Sequence, residues 1–195
     1  MLTRFRNLWY RCQGSALALF LRLCGCRAGR GLKCKRWPLF RQIPHGNIMI
    51  GDNATIGWRI TFDIAPNAVL KLGHRVNLTQ DIVLGAAEHI EIGNDSLVAE
   101  FVSIRDNDHG LDADECIARQ ASVSEPVAIG CDVWIAAGVR ILRGSRIADG
   151  CVIAANAVIT RKVSCSGYGI YGGIPARRLG ERAGGGKMQH REEAS

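Results

Sequence analysis

One of the five histidines in the chain stands where a base would be useful. His109 sits in the run Asp106-Asn107-Asp108-His109-Gly110, which opens a stretch reaching to about Pro126 without regular apolar spacing. An imidazole titrates near neutrality, so it can remove a proton from a hydroxyl as that hydroxyl attacks an electrophile. Asp106 and Asp108 are close enough in sequence to orient such a base or to contact a polar substrate. Asp112, Asp114 and Glu115 follow in a segment long enough to project from its surroundings, where function tends to concentrate. His45, His74, His89 and His190 stand beside no comparable loop.

The second chemical signal is basic. Much of the net charge of +7 lies in the first 41 residues, and a second group follows residue 140, including Arg161, Lys162, Arg177 and Arg178. The middle of the chain is close to neutral and has no basic stripe interleaved with aromatics, which argues against nucleic acid as a partner. A phosphorylated ligand or an anionic membrane surface remains. The eight cysteines form no Cys-x-x-Cys pair and have no histidines at zinc spacing, so they read as reduced thiols of a cytoplasmic protein with no metal. Cys131 and Cys151 are expected to pack as small residues within the repeats.

These groups must be positioned by something, and the sequence supplies a repeat. Isoleucine occurs at 129, 135, 141, 147, 153 and 159, six times at intervals of six. The same spacing appears upstream with shifts of phase: Ile50, Ile56, Phe62; then Leu72, Leu78, Leu84; then Ile92, Val98, Ile104. A helix repeats near 3.6 and a simple strand at 2, so neither explains it. A six-residue period describes a short strand plus a corner, stacked on itself as a solenoid. The composition agrees, because 47% hydrophobic residues with only 6% aromatics and 23 glycines suit a narrow aliphatic core with tight corners. Asn53, Asn94, Gly138, Gly144 and Asn156 are candidates for left-handed corner positions.

The pattern of aliphatic, small, two variable, small and one variable residue resembles the hexapeptide-repeat acyltransferases, within them the maltose, galactoside and O-antigen O-acetyltransferases. The resemblance runs from about Gly46 to Leu179. It implies a left-handed parallel β-helix, acetyl-coenzyme A as co-substrate, and a homotrimer with an active site in each cleft between subunits. It implies that His109, five residues beyond Ile104, is the general base for transfer to a hydroxyl of a saccharide. Alignment through Gly73 and Gly93 puts Thr79 at the family's acceptor position, flanked by Asn77 and Asp81, where the family has asparagine. Along Val133-Trp134-Ile135-Ala136-Ala137-Gly138 the pantetheine arm would lie against backbone amides, so Trp134, Ala137, Gly138 and Ala155 line the coenzyme A path. Thr160 and Arg161 match further positions along that path, and Arg161, Lys162, Arg177 and Arg178 would meet the phosphates. The closing segment Gly173-Ile174-Pro175-Ala176-Arg177-Arg178 resembles the family's Gly-x-Pro-Ala-basic ending.

The expected architecture is therefore an all-β solenoid over residues 46–164 with a protruding loop at 106–126. An N-terminal basic extension spans 1–45, a closing segment 165–181 and a disordered tail 182–195. An amphipathic helix from about Leu2 to Cys24 would pack on the solenoid or a neighbouring subunit, or rest on the inner membrane face as a peripheral contact. Three other functions are open at this point. One is N-acetylation of an amino sugar or small amine. Another is a γ-carbonic-anhydrase-like metal enzyme, for which His74, His89 and His109 would have to converge. The third is a structural scaffold.

Overall fold

In the computed structural model, which describes residues 2–183, the helix α1 (Leu2–Leu23) leads into a left-handed parallel β-solenoid of about seven coils. Strands of successive coils stack into three parallel faces. Face A holds Arg27–Ala28, Ile48–Ile50, Val69–Leu72, His89–Ile92, Val127–Ile129 and Arg146–Ile147. Face B runs from Lys33–Cys34 through Thr55–Trp58, Asn77–Gln80, Leu97–Val98, Trp134–Ile135 and Val152–Ile153 to Gly169–Gly173, and face C from Leu39–Phe40 through Thr61–Ile64, Val83–Ala86, Ser103–Arg105 and Arg140–Ile141 to Val158–Ile159. Among the described residues only the closing strand Ala176–Glu181, folded back on Gly169–Gly173, and the small stem described below are antiparallel.

The six-residue period is the geometry of this triangle. Ile129, Ile135 and Ile141 point inward from A, B and C, and Ile147, Ile153 and Ile159 repeat the set one coil on. Register places Ile50, Leu72, Ile92, Ile129 and Ile147 in one buried column. Each buried aliphatic of this size contributes about 1.5–3 kcal/mol by leaving water, so such columns hold the coils together without a large core. The phase shifts also have a location. Equivalent residues at the A-to-B corner are 22 apart at Arg30 and Asp52, 20 at His74 and Asn94, and 18 at Cys131 and Asp149. The extra residues fall at the C-to-A corner, where Ile64, Ala68, Leu70, Ala86 and Ile90 form an additional buried layer. The solenoid is thus wider near α1 and narrower near its C-terminal end.

Several boundaries move. The solenoid begins near residue 27 rather than 46, because Ala28, Cys34 and Phe40 already pair with Ile50, Ile56 and Phe62. Their inward column is made of one small residue, one thiol and one ring, which hides the period. Arg182 is not in a disordered tail: its backbone N–H donates to the Tyr168 carbonyl at 2.9 Å and its Nη1 to the Asp132 carboxylate at 2.8 Å. From residue 184 on, the expected tail lies outside the described residues. Asn53, Gly138, Gly144 and Asn156 do take positive φ, but at the corner of Asn94 it is Asp95 that does so. Cys151 is buried in the core as expected, whereas Cys131 is a half-buried corner residue.

The helix α1 packs Leu17, Ala18 and Leu21 onto the first coil. Gly14 permits the approach: a Cβ there would lie 1.9 Å from the Leu32 carbonyl oxygen. No helix among the described residues is long and apolar enough to cross a membrane.

Candidate active site

The loop leaves the solenoid at the C-to-A corner, the corner that already carries the surplus residues. Asp106 is its anchor. The side chain is fully buried, and its carboxylate accepts hydrogen bonds from the backbone N–H groups of Ala87 (2.7 Å), Glu88 (2.8 Å) and His89 (2.7 Å) on the preceding coil. Asn107–Asp108 then pairs antiparallel with Val123–Ser124 as a two-stranded stem. Glu125 closes it, donating its backbone N–H to the Asp106 carbonyl at 2.8 Å. Further out, Gln120 staples the loop with its side chain, donating to the carbonyls of Asp112 (2.8 Å) and Glu115 (2.7 Å) and accepting from the Asp112 N–H (2.8 Å).

His109 emerges directly from this stem and is exposed, with no hydrogen bond or ion pair to any described residue. Its neighbours form a charged chain across coils. Asp108 accepts from Arg143 Nε at 2.6 Å, Arg143 reaches Glu125 at 3.8 Å, and Glu125 pairs with Arg161 at 3.3 Å. Glu125 and Arg143 have no local motif to mark them; their contacts join residues 35 and 36 apart. Beside this chain, on face A, a cavity of about 880 Å³ is bordered by Glu91, Glu125, Arg146, Arg161 and Lys162. A hydrogen bond from Lys71 holds the Glu91 carboxyl below its ordinary value.

Not every expected contact lies here. Asp106 cannot meet an acceptor, since its oxygens are buried and occupied by the three amides. Asn77 and Thr79 are on face B, across the triangle from the loop corner. Asp81 stands at the B-to-C corner, where Arg59 engages both its carboxylate oxygens and holds it below the usual carboxylate range. His74, His89 and His109 do not converge. His74 accepts the Asp52 N–H at the A-to-B corner, His89 is on face A beside Glu91, and His109 is on the loop. No group of three or more potential metal ligands occurs among the described residues.

The residues assigned to coenzyme A divide between two corners. Thr160, Arg161 and Lys162 follow strand Val158–Ile159 at the C-to-A corner, with the loop. Ala137, Gly138 and Ala155 are at the B-to-C corner, and Trp134 is on face B, half-exposed between Leu97 and Val152. Arg177 and Arg178 are exposed on the closing strand of face B.

The B-to-C corner differs from its neighbour in one respect. At the A-to-B corner four of the six amides that precede a left-handed residue are capped by a side chain of the next coil, Arg30 by Asp52 (2.6 Å), Asp52 by His74 (3.0 Å), His74 by Asn94 (2.7 Å) and Cys131 by Asp149 (2.7 Å), while those of Asn94 and Asp149 donate to no acceptor among the described residues. Ala137 and Ala155 occupy the equivalent place at the B-to-C corner, before Gly138 and Asn156, and their N–H groups donate to no acceptor among the described residues. Two open amides therefore lie on successive coils, flanked by side chains too small to block them.

Residues 126–161 match the family described as Bacterial transferase hexapeptide (six repeats). The chain belongs to the hexapeptide-repeat transferase superfamily. A Mycobacterium tuberculosis protein named as a probable acetyltransferase is 34% identical over 156 residues, covering 79% of this chain and 49% of that protein. The chain thus spans about half the length of the curated relative that it matches. Among solved structures, an N-acyltransferase variant from Bacillus cereus with dTDP and coenzyme A superposes with a TM-score of 0.66 at 19% identity, covering 79% of this chain and 83% of that one. A maltose O-acetyltransferase from Clostridium difficile 630 gives 0.58 at 24% identity, covering 90% and 87%. An N-acyltransferase and an O-acetyltransferase thus share this fold.

Proposed function

We propose that the chain is an acetyl-coenzyme A-dependent O-acetyltransferase that modifies a hydroxyl of a saccharide or surface-polysaccharide precursor, with His109 as general base. The observation that carries this reading is the division of chemistry between the two ends of face C. One corner presents a base and a set of cations, the other two unblocked amides on successive coils. Within one chain, face C separates them. A homotrimer, in which the loop corner of one copy meets the amide corner of the next, would unite them, and His109 is then free to find its partner across the interface.

In this arrangement the Ala137 and Ala155 N–H groups receive the pantetheine carbonyls, and Arg161, Lys162, Arg177 and Arg178 face the phosphates, where guanidinium groups are effective. His109 takes the proton as the acceptor oxygen attacks the thioester carbonyl. The tetrahedral intermediate then expels the coenzyme A thiolate, which recovers the proton from the imidazolium. A backbone N–H is the candidate donor to the oxyanion. No acyl-enzyme and no metal are needed.

The enzyme would work in the cytoplasm, held peripherally at the inner membrane face by α1. The outer side of that helix exposes Phe5, Leu8 and Trp9 (69%, 60% and 63%) beside Arg4 and Arg11, a combination suited to an anionic interface. A second reading, N-acetylation of an amino sugar, draws support from the likeness to the Bacillus cereus N-acyltransferase.

The test is thiol release from acetyl-coenzyme A against hexoses, amino sugars and nucleotide sugars, for wild type beside His109→Ala. Transfer to a hydroxyl that falls by about 10²–10⁴-fold in the variant, the range for a lost general base, with coenzyme A binding intact, supports the reading. Acetylation of amine-bearing acceptors alone favours the second reading, and an undiminished variant removes His109 from the chemistry.

A further inference from the structure

Away from the loop corner, α1 passes over the outside of face B and encloses a cavity of about 390 Å³, within the range of about 300–1,000 Å³ typical of small-ligand sites. Its wall holds three cations, Arg6, Lys33 and Lys35, and no carboxylate. None of the three has an ion-pair partner among the described residues. Like charges gathered in a recess raise one another's energy unless an anion joins them. The recess is also shaped: Lys35 Nζ lies 4.6 Å from the centre of the Trp58 ring, and Tyr10 meets that ring edge to face at 6.2 Å.

Asn77 adds an independent requirement. It borders the cavity, and its side-chain oxygen is shielded from water with no hydrogen-bond donor. A phosphate at neutral pH offers acceptors and cannot satisfy that oxygen, whereas a hydroxyl can once the amide turns toward the cavity. One ligand carrying both phosphate and hydroxyl groups answers both features.

We propose that this cavity is a binding site for a phosphorylated saccharide, its phosphate or diphosphate held by Arg6, Lys33 and Lys35 and a sugar hydroxyl donating to Asn77. Face B is the side of the triangle opposite the loop corner, so the site is separate within the chain from His109. The proposal stands whether or not His109 transfers acetyl groups. Two sources share this chemistry: a soluble nucleotide sugar, and a sugar diphosphate on a lipid carrier, which the exposed apolar side of α1 would favour.

Calorimetry on the full chain tests it, with pyrophosphate, UDP-glucose and glucose as probes. Pyrophosphate and UDP-glucose are expected to bind more weakly as salt rises, and glucose far more weakly than either. Lys33→Glu, Lys35→Glu and Arg6→Ala should each weaken pyrophosphate about tenfold or more, the effect of a lost charge-assisted hydrogen bond. Asn77→Ala should weaken UDP-glucose more than pyrophosphate. Circular dichroism verifies that each variant is folded. A parallel series uses vesicles with and without a polyprenyl diphosphate-linked glucose. A gain from that lipid that is lost in Lys33→Glu assigns the lipid-linked source, and binding of UDP-glucose without it assigns the soluble one. Unaltered pyrophosphate binding in folded Lys33→Glu and Lys35→Glu, no binding of either phosphate by wild type, or glucose binding as tightly as UDP-glucose would overturn the site.

Discussion

Asp106→Ala separates anchoring the loop from contacting a substrate. The wild-type carboxylate is fully buried and accepts three backbone N–H groups at 2.7, 2.8 and 2.7 Å. A hydrogen bond to a charged group is worth about 1.5–3 kcal/mol, so three set an upper range of about 4.5–9 kcal/mol. The donors come from a corner that is not itself buried, with Glu88 exposed and Ala87 and His89 half-buried, and water can replace part of what is lost. We expect a net loss of about 3–4 kcal/mol for the alanine variant. In a chain of this size that corresponds to a fall in Tm of roughly 6–15 °C. Asp106→Asn keeps one acceptor oxygen but turns an NH₂ toward an N–H, and should lose about half as much.

The assay is urea unfolding followed by circular dichroism at one fixed protein concentration, since assembly would otherwise shift the midpoint. It is paired with transfer rates measured well below both transitions. Because Asp106 holds the root of the loop that bears His109, kcat should fall while KM for acetyl-coenzyme A stays within about twofold, the open amides being at another corner. An alanine variant with the wild-type urea midpoint refutes the anchoring argument. If the midpoint holds and KM for the acceptor rises tenfold, Asp106 contacts substrate after all.

Ala137→Pro removes one of the two open N–H groups at a place where proline's fixed φ suits a turn whose next residue, Gly138, has φ +73°. KM for acetyl-coenzyme A should rise about 2–13-fold, the equivalent of one neutral hydrogen bond, with Tm unchanged; an unaltered KM would show that this amide serves only water. Gly57→Ala would place a Cβ 1.5 Å from the Thr79 carbonyl oxygen, a backbone clash that no rotamer relieves. Size-exclusion chromatography should find no folded species, and recovery of wild-type yield and Tm would contradict the close approach. Burial pushes the thiols of Cys34 and Cys165 up to about 11 and about 12, and raises Cys151 as well. The thiolate is the reactive form, so these three remain protonated at pH 8 and should be labelled by iodoacetamide far more slowly than exposed Cys12 and Cys116. Peptide mapping that finds Cys165 labelled at the same rate would mean that the C-terminal coil opens readily.

The isoleucines from 129 to 159 made the three-faced solenoid legible because a column tolerates little besides branched aliphatics, and each inward position repeats the same demand. The first coil escaped notice because Ala28, Cys34 and Phe40 meet that demand with three different shapes. The upstream shifts of phase were visible, but not that they gather at a single corner. That requires knowing which residues begin face A, and a count along the chain does not separate a corner from a strand. Asp106 was misread for a related reason. Two acidic residues two apart look alike in sequence, yet Asp106 turns inward to three amides while Asp108 turns outward to Arg143.

The placement of Asn77, Thr79 and Asp81 follows from the same geometry. In a three-faced coil, a displacement of six residues moves a side chain to a different face, and only a displacement of a whole coil returns it above its starting point. An alignment that matches coils therefore fixes height along the axis but brings two residues together only if they also share a face. Asn77 and His109 do not. Their meeting would require a second chain to set face B, or its edge at the B-to-C corner, against the loop corner of the first. The open amides of Ala137 and Ala155 lie at the edge of face B away from Asn77, the B-to-C corner, and in the proposed assembly it is this edge that meets the loop corner of another copy. The proposed contact between copies therefore rests on these amides and the loop corner, whereas Asn77 borders the cavity under α1. A chain held as a monomer should then retain its fold, its buried columns and the phosphate cavity under α1 while losing acetyl transfer.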